Sequence, residues 1–183
     1  MKKAILFILH FAIVSISFAQ TAKDYDLNSR KRALQGDFMG AKADITKAIE
    51  MDPENASYYV IRADYNHSLN DYKATMSDIS KAIELKPSGL GQYLQRGKYY
   101  HETGQNKLAL ADFSKEIQLN PKSAEAFFWR ANTKSNLEDQ AGAIEDYTKA
   151  IDFAGTSSAY DAYLKRGQSK FYLEDFEGAI IDF

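Results

Sequence analysis

Residues 56–89 read ASYYVIRADYNHSLNDYKATMSDISKAIELKPSG, and this stretch decides the fold. From Ala56 to Leu69, Tyr58, Tyr59, Ile61, Tyr65 and Leu69 recur at the three- and four-residue spacing of one helix face. Asn70-Asp71 interrupts. A second stripe runs from Tyr72 to Leu85 through Met76, Ile79, Ala82 and Ile83. Lys86-Pro87 stops it, because proline cannot continue a helix and restrains the residue before it. The unit is helix, tight turn, helix, stop.

Outward from this stretch the same unit recurs. Pro53, Pro87 and Pro121 are 34 apart, as are Arg62, Arg96 and Arg130. So are Asp44, Asp78, Asp112 and Asp146, and so are Tyr25, Tyr59, Tyr93 and Phe127. Independent residue classes sharing one period mark a repeat architecture, in which each unit stacks on its neighbour and builds a long surface. Five copies fall at 22–55, 56–89, 90–123, 124–158 and 159–183. Copy one carries Asn28 where the arginine should stand. Copy four has Gly155 in place of the closing proline, and Arg130 to Arg166 is 36 residues, so two extra residues are expected around Thr156-Ser157-Ser158. Copy five stops at Phe183, inside its second helix. A bare apolar solenoid end is poorly soluble, so the natural chain is expected to continue or to self-associate through that end.

The turn slot holds Gly36-Asp37, Asn70-Asp71, Gly104-Gln105, Glu138-Asp139 and Glu174-Asp175. Glycine or asparagine suits a left-handed residue closing the first helix, and aspartate accepts from the free amides opening the second. The glutamates of copies four and five predict a less sharp helix end there. Small residues recur where helices must approach: Ser29, Ala63, Gly97, Ala131 and Gly167 at one position, Ala41, Thr75, Ala109, Ala143 and Ala179 at another. Ala48, Ala82 and Ala150 mark a third, with Glu116 the exception. Tyr59, Tyr93, Phe127 and Tyr163 are expected to fill the space between.

This pattern of aromatic, Gly/Ala, Ala, aromatic, Ala and Pro resembles the tetratricopeptide repeat over residues 22–183. The variant with Arg-Gly in the first helix is similar to Arg96-Gly97 and Arg166-Gly167, with Arg62-Ala63 and Arg130-Ala131 as near matches. "DISKAIELKP" at Asp78–Pro87 and "EDYTKAI" at Glu145–Ile151 look like that family's second helix. The resemblance implies an all-α, right-handed superhelical solenoid of antiparallel helix pairs, with the first helices lining a concave surface. Groove residues carried over by position are Lys23, Asp26 and Arg30; Val60, Ile61, Asp64 and His67; Leu94, Gln95, Lys98 and His101; Glu125, Phe128, Trp129 and Asn132; and Leu164, Lys165, Gln168 and Phe171. Some relatives clamp a C-terminal carboxylate at such positions. Here those places hold Asp26, Ile61, Gly91 and Gln95, so the first three copies do not carry the clamp. Phe128, Trp129, Leu164 and Phe171 instead offer an aromatic patch as a partner anchor, or Trp129 packs between copies four and five.

The arginine ladder and the aspartate ladder, which ends at Asp182, share one phase. They predict pairing with one another, since bidentate arginine–carboxylate pairs fix geometry as well as charge. A row of free arginines for an acidic ligand is the alternative. His67 and His101 sit at equivalent positions, about 10 Å apart if helices pack normally. That is too far for shared zinc, whose Zn–N bonds run to about 2.0–2.1 Å, so no metal and no cofactor are expected, and both histidines read as exposed groove residues. No nucleophile elbow, phosphate loop or His-Glu-x-x-His occurs, and the carboxylates are spread at repeat spacing; no enzymatic activity is expected.

The chain opens with Lys2-Lys3, an apolar run Ala4–Phe18, and Ser17-Phe18-Ala19, which reads as a secretory signal over 1–19 cleaved before Gln20. An uncleaved anchor is the competing reading, but the run is short of the about 20 residues a span needs. Without Lys2 and Lys3 the formal net charge moves from −2 to −4, against the basic stripe that nucleic acid requires. With no cysteine, neither a disulfide nor a lipid anchor at a cysteine is available. The expected protein is an exported scaffold, periplasmic or secreted in a Gram-negative bacterium, that binds a peptide or partner protein in its groove. The alternative is the docking or regulatory region of a longer exported enzyme or envelope-assembly factor.

Overall fold

The computed structural model describes residues 20–89, 91–155 and 159–183. The expected signal segment 1–19 and the loop at 156–158 lie outside the described residues. Among these, every regular element is a helix: α1 (Ala22–Leu34), α2 (Phe38–Met51), α3 (Ala56–Ser68), α4 (Tyr72–Leu85), α5 (Gln92–Glu102), α6 (Asn106–Leu119), α7 (Ala124–Asn136), α8 (Gln140–Ala154), α9 (Tyr160–Tyr172) and α10 (Phe176–Asp182). They pack as consecutive pairs, α1 on α2 through α9 on α10, and each pair leans on the next. The result is an all-helical solenoid of antiparallel pairs.

Each pair closes by the same turn. The amides of Asp37, Asp71, Gln105, Asp139 and Asp175 return to carbonyls five residues back, at 2.7–3.0 Å. The residue before each has positive φ: Gly36 78°, Asn70 60°, Gly104 74°, Glu138 66° and Glu174 65°. This is the Schellman closure of a helix C-terminus. The expectation that copies four and five end less sharply is therefore corrected: Glu138 and Glu174 enter the left-handed region, and the hydrogen bonds made there hold them. The following aspartates then cap the second helices, accepting from Gly40, Ala74, Gly142 and Gly178 amides at 2.9–3.1 Å.

The core is segmented. One cluster joins Ala41, Ile45, Ala48 and Ile49 of α2 to Ala56, Tyr58 and Tyr59 of α3. The next joins Ala63, Ile79 and Ile83 to Tyr93. Phe127, Ala150 and Ala162 form another, and Ala131, Ala143 and Tyr147 a fourth, with Phe128 bridging the two. Tyr59, Tyr93 and Phe127 are buried in like surroundings, whereas Tyr163 is exposed, contrary to the expectation that all four fill the interior.

Glu116 has a reason to break the alanine pattern. Asn55 and Ser123 cap α3 and α7, but Gly89 occupies that slot before α5, and Gly91 there is left-handed with no side-chain cap. The buried Glu116 carboxylate accepts the Gly91 amide through both oxygens, at 3.0 and 3.1 Å. It places negative charge at the helix start, where unpaired amides and the helix dipole favour it.

The first helices lie on the inner side of the curve. α5 approaches α7 directly and α7 approaches α9, while the second helices α4, α6 and α8 show no approach of that closeness among the described residues.

Candidate partner-binding surface

The arginines are not part of the open surface. Arg62, Arg96, Arg130 and Arg166 each reach across their own helix pair and grip Asp78, Asp112, Asp146 and Asp182 with Nε and one terminal nitrogen. The remaining nitrogen points to a hydroxyl in the preceding pair: Thr46, Ser80, Ser114 or Thr148, at 3.1–3.5 Å. Each guanidinium also lies over the aromatic ring three residues earlier, at 5.3–5.7 Å from the centroid. One side chain therefore ties a helix pair together and to its neighbour. Copy one lacks this arginine, and Asp44 is held instead by Arg32 Nε at 3.0 Å, one turn later. The position four residues after the arginine supplies a second donor in other copies: Asn66 to Asp78, Lys134 to Asp146 and Lys170 to Asp182. Burial would raise Asp182, but the hydrogen bonds from Arg166 and Lys170 outweigh it and hold the carboxyl below its ordinary range. The hydroxyl ladder and the second donors were missed at the sequence level, although both recur at the repeat spacing.

With the arginines committed, the first-helix face is shaped by other side chains. A cavity of about 400 Å³ opens between α3 and α5 over the start of α4. Asp64, His67, Gln95 and Lys98, all carried over as groove residues, line it, together with Tyr72, Tyr99 and Glu102, which were not. Gln95 Nε2 donates to Asp64 at 3.3 Å. Desolvation by the cavity walls pushes the Asp64 carboxyl up, against that hydrogen bond and the nearby His67. His67 stands edge-on to Tyr72 at 5.6 Å, and Tyr72 lies 6.5 Å from Tyr99. Lys98 is turned away: its Nζ is 2.7 Å from Glu125 and 5.2 Å over Trp129.

A second cavity, of about 360 Å³, opens between α7 and α9 over α8. It gathers His101, Asn132, Gln168 and Lys165 with Ser135, Gln140, Tyr147 and Tyr172. Tyr147, whose hydroxyl pKa burial pushes up, donates to Asn132 Oδ1 at 2.7 Å. That bond occupies the Asn132 amide oxygen and leaves its nitrogen as the donor this lining residue can offer.

The other groove residues take different places. Val60 and Ile61 are half-buried against the first core cluster. Asp26 pairs with Arg30 at 2.8 Å, and Lys23 is exposed. Leu94 and Leu164 are half-buried. His101 is half-buried, not exposed as expected: its Nδ1 is 2.9 Å from Thr133 Oγ1, its ring lies 5.4 Å from Trp129, and burial lowers its pKa. Trp129 thus packs on copy three, not between copies four and five. Phe128 touches Trp129 and Tyr147, both at 5.9 Å, and is largely core. Phe171 meets Phe176 of α10 edge-to-face at 5.3 Å, away from Trp129. Among the described residues no group of three or more His, Cys, Asp or Glu is placed to hold a metal ion, and no helix is long and apolar enough to cross a membrane.

Comparison with known proteins agrees with this architecture. Family profiles described as tetratricopeptide repeat match residues 34–89 and 124–156. Among solved structures, MamA (residues 41 to the end) from Desulfovibrio magneticus RS-1 superposes with a TM-score of 0.80 at 19% identity, covering 88% of this chain and 90% of that one. YrrB, described as a TPR protein with an unusual peptide-binding site, gives 0.75 at 22% identity over 88% and 82% of the two chains. PilF of Pseudomonas aeruginosa gives 0.74 at 16% identity over 88% and 72%. No curated protein matches by sequence. The chain is an all-helical solenoid of the tetratricopeptide kind, with tetratricopeptide repeats recognised in residues 34–89 and 124–156.

Proposed function

We propose that this chain is an exported, non-catalytic scaffold that holds an extended segment of another protein along its first-helix face. The observation that carries this reading is the pair of open cavities on that face, at α3–α5 and α7–α9, each lined by polar and aromatic side chains. Concave sites with a few converging polar groups are where ligands are held. The arginine ladder, which could have served an acidic ligand, is used up inside the fold. The similarity to YrrB, described as having a peptide-binding site, supports the same use of the surface.

A photo-crosslinking residue placed at Gln95 or Gln168, on the first-helix face, should trap a partner segment. One at Lys107 or Lys149, on the second helices, should not. Equal trapping from both faces, or trapping from the outer face alone, overturns the reading. Export rests on the lysine-led apolar segment 1–19 and is tested separately: joined to a reporter that works only outside the cytoplasm, residues 1–22 should switch it on.

The last helix offers a second contact. Ile180 and Ile181 of α10 and the following Phe183 are exposed, and apolar residues so grouped favour association. Self-association through α10 would appear as concentration-dependent mass in light scattering, abolished by Ile181→Lys. A mass that stays monomeric over the same range removes it.

A further inference from the structure

The two open cavities are one site used twice with opposite chemistry. Asp64, Tyr72, Gln95 and Glu102 of the first stand at the repeat positions that Asn132, Gln140, Lys165 and Tyr172 take in the second, two units along. The first cavity thus carries two carboxylates, neither in an ion pair among the described residues, in a wall that also includes Tyr72 and Tyr99. The second has no carboxylate and presents donors: the Asn132 amide nitrogen, set by Tyr147, and Lys165, which makes no ion pair among the described residues. The equivalent place between them is occupied by Trp129, edge-to-face with His101, and by the hydrogen bond between His101 and Thr133.

Resting on the groove reading above, we propose that the partner is an extended peptide segment with charge polarity: a lysine or arginine side chain enters the Asp64–Glu102 cavity, and a carboxylate enters the Asn132–Lys165 cavity. Two carboxylates in one cavity suit an organic cation, through charge-assisted hydrogen bonds. Amide and ammonium donors suit a carboxylate. The spacing follows from packing. With adjacent first helices set at the about 10 Å of ordinary helix packing, two units span about 20 Å, which an extended chain covers in about six residues. Trp129 forms the ridge between, where the middle of the segment passes.

The test uses the full chain and synthetic peptides of about ten residues, neutral except for one lysine and one glutamate at varied separations and in both orders. Binding is followed by the emission of Trp129, the single tryptophan. The tightest binding is expected at a separation of about six residues. Asp64→Asn with Glu102→Gln, both close in shape to the originals, should weaken that peptide about tenfold and erase the preference for lysine. Lys165→Glu should erase the preference for glutamate and leave that for lysine. Peptides that bind with no dependence on charge separation, or preferences that survive these changes, overturn the charge polarity while leaving groove binding intact. Absence of binding by every peptide, with no crosslinked partner at Gln95 or Gln168, overturns both.

Discussion

Arg62, Arg96, Arg130 and Arg166 occupy one position, but they are not equally supported. Asp78, Asp146 and Asp182 each have a second donor from the next turn, Asn66, Lys134 or Lys170. In copy three that position is Tyr100, so among the described residues Asp112 depends on Arg96 alone. Removing one partner of a buried pair leaves an uncompensated charge and costs roughly 3–5 kcal/mol. Arg96→Ala should approach that loss, and Arg130→Ala should fall short of it by about 1 kcal/mol or more, because Lys134 still neutralises Asp146. Urea unfolding of both variants checks the order, and an equal loss would show that the second donor contributes nothing. The pairing of the two ladders was legible from their shared phase. Which neighbour adds the second donor was not, because it depends on how each long side chain is packed.

At the scale of the helical hairpin, the turn matters more than its composition. Five copies close by the same hydrogen bonds although the left-handed residue is glycine, asparagine or glutamate. A non-glycine residue there costs roughly 1–2 kcal/mol of backbone energy. Glu138→Gly should therefore raise stability, by about 1 kcal/mol after the greater freedom of glycine in the unfolded chain is offset. A thermal melt shows this directly; a lowered midpoint would mean the Glu138 side chain contributes more than its backbone costs. Reading glutamate as a weaker helix stop failed because the fold, through the amide of Asp139 bonded to Lys134, overrides local preference. Glu116 teaches the same lesson: it breaks the alanine pattern to serve an amide of a different helix.

For the whole molecule, stacking makes stability local. Each core cluster spans only neighbouring pairs, as expected where repeats contact nothing further away. α10 packs on α9 and leaves Ile180 and Ile181 exposed. Amide hydrogens of α9 and α10 should therefore exchange faster than those of α3 and α4, which are flanked on both sides. Uniform protection along the chain would mean the solenoid opens only as one unit.

The amino-acid sequence by itself determined the helical hairpins, their period, the turn slots and the internal ion pairs, because these arise from short-range spacing and from residues that recur in phase. Only the tertiary structure decided which first-helix positions are open and which are plugged. Asp64 and Asn132 face cavities while the place between them is filled by Trp129 and His101. That outcome depends on the volumes of side chains from three helices meeting at one point, a sum that no single repeat contains.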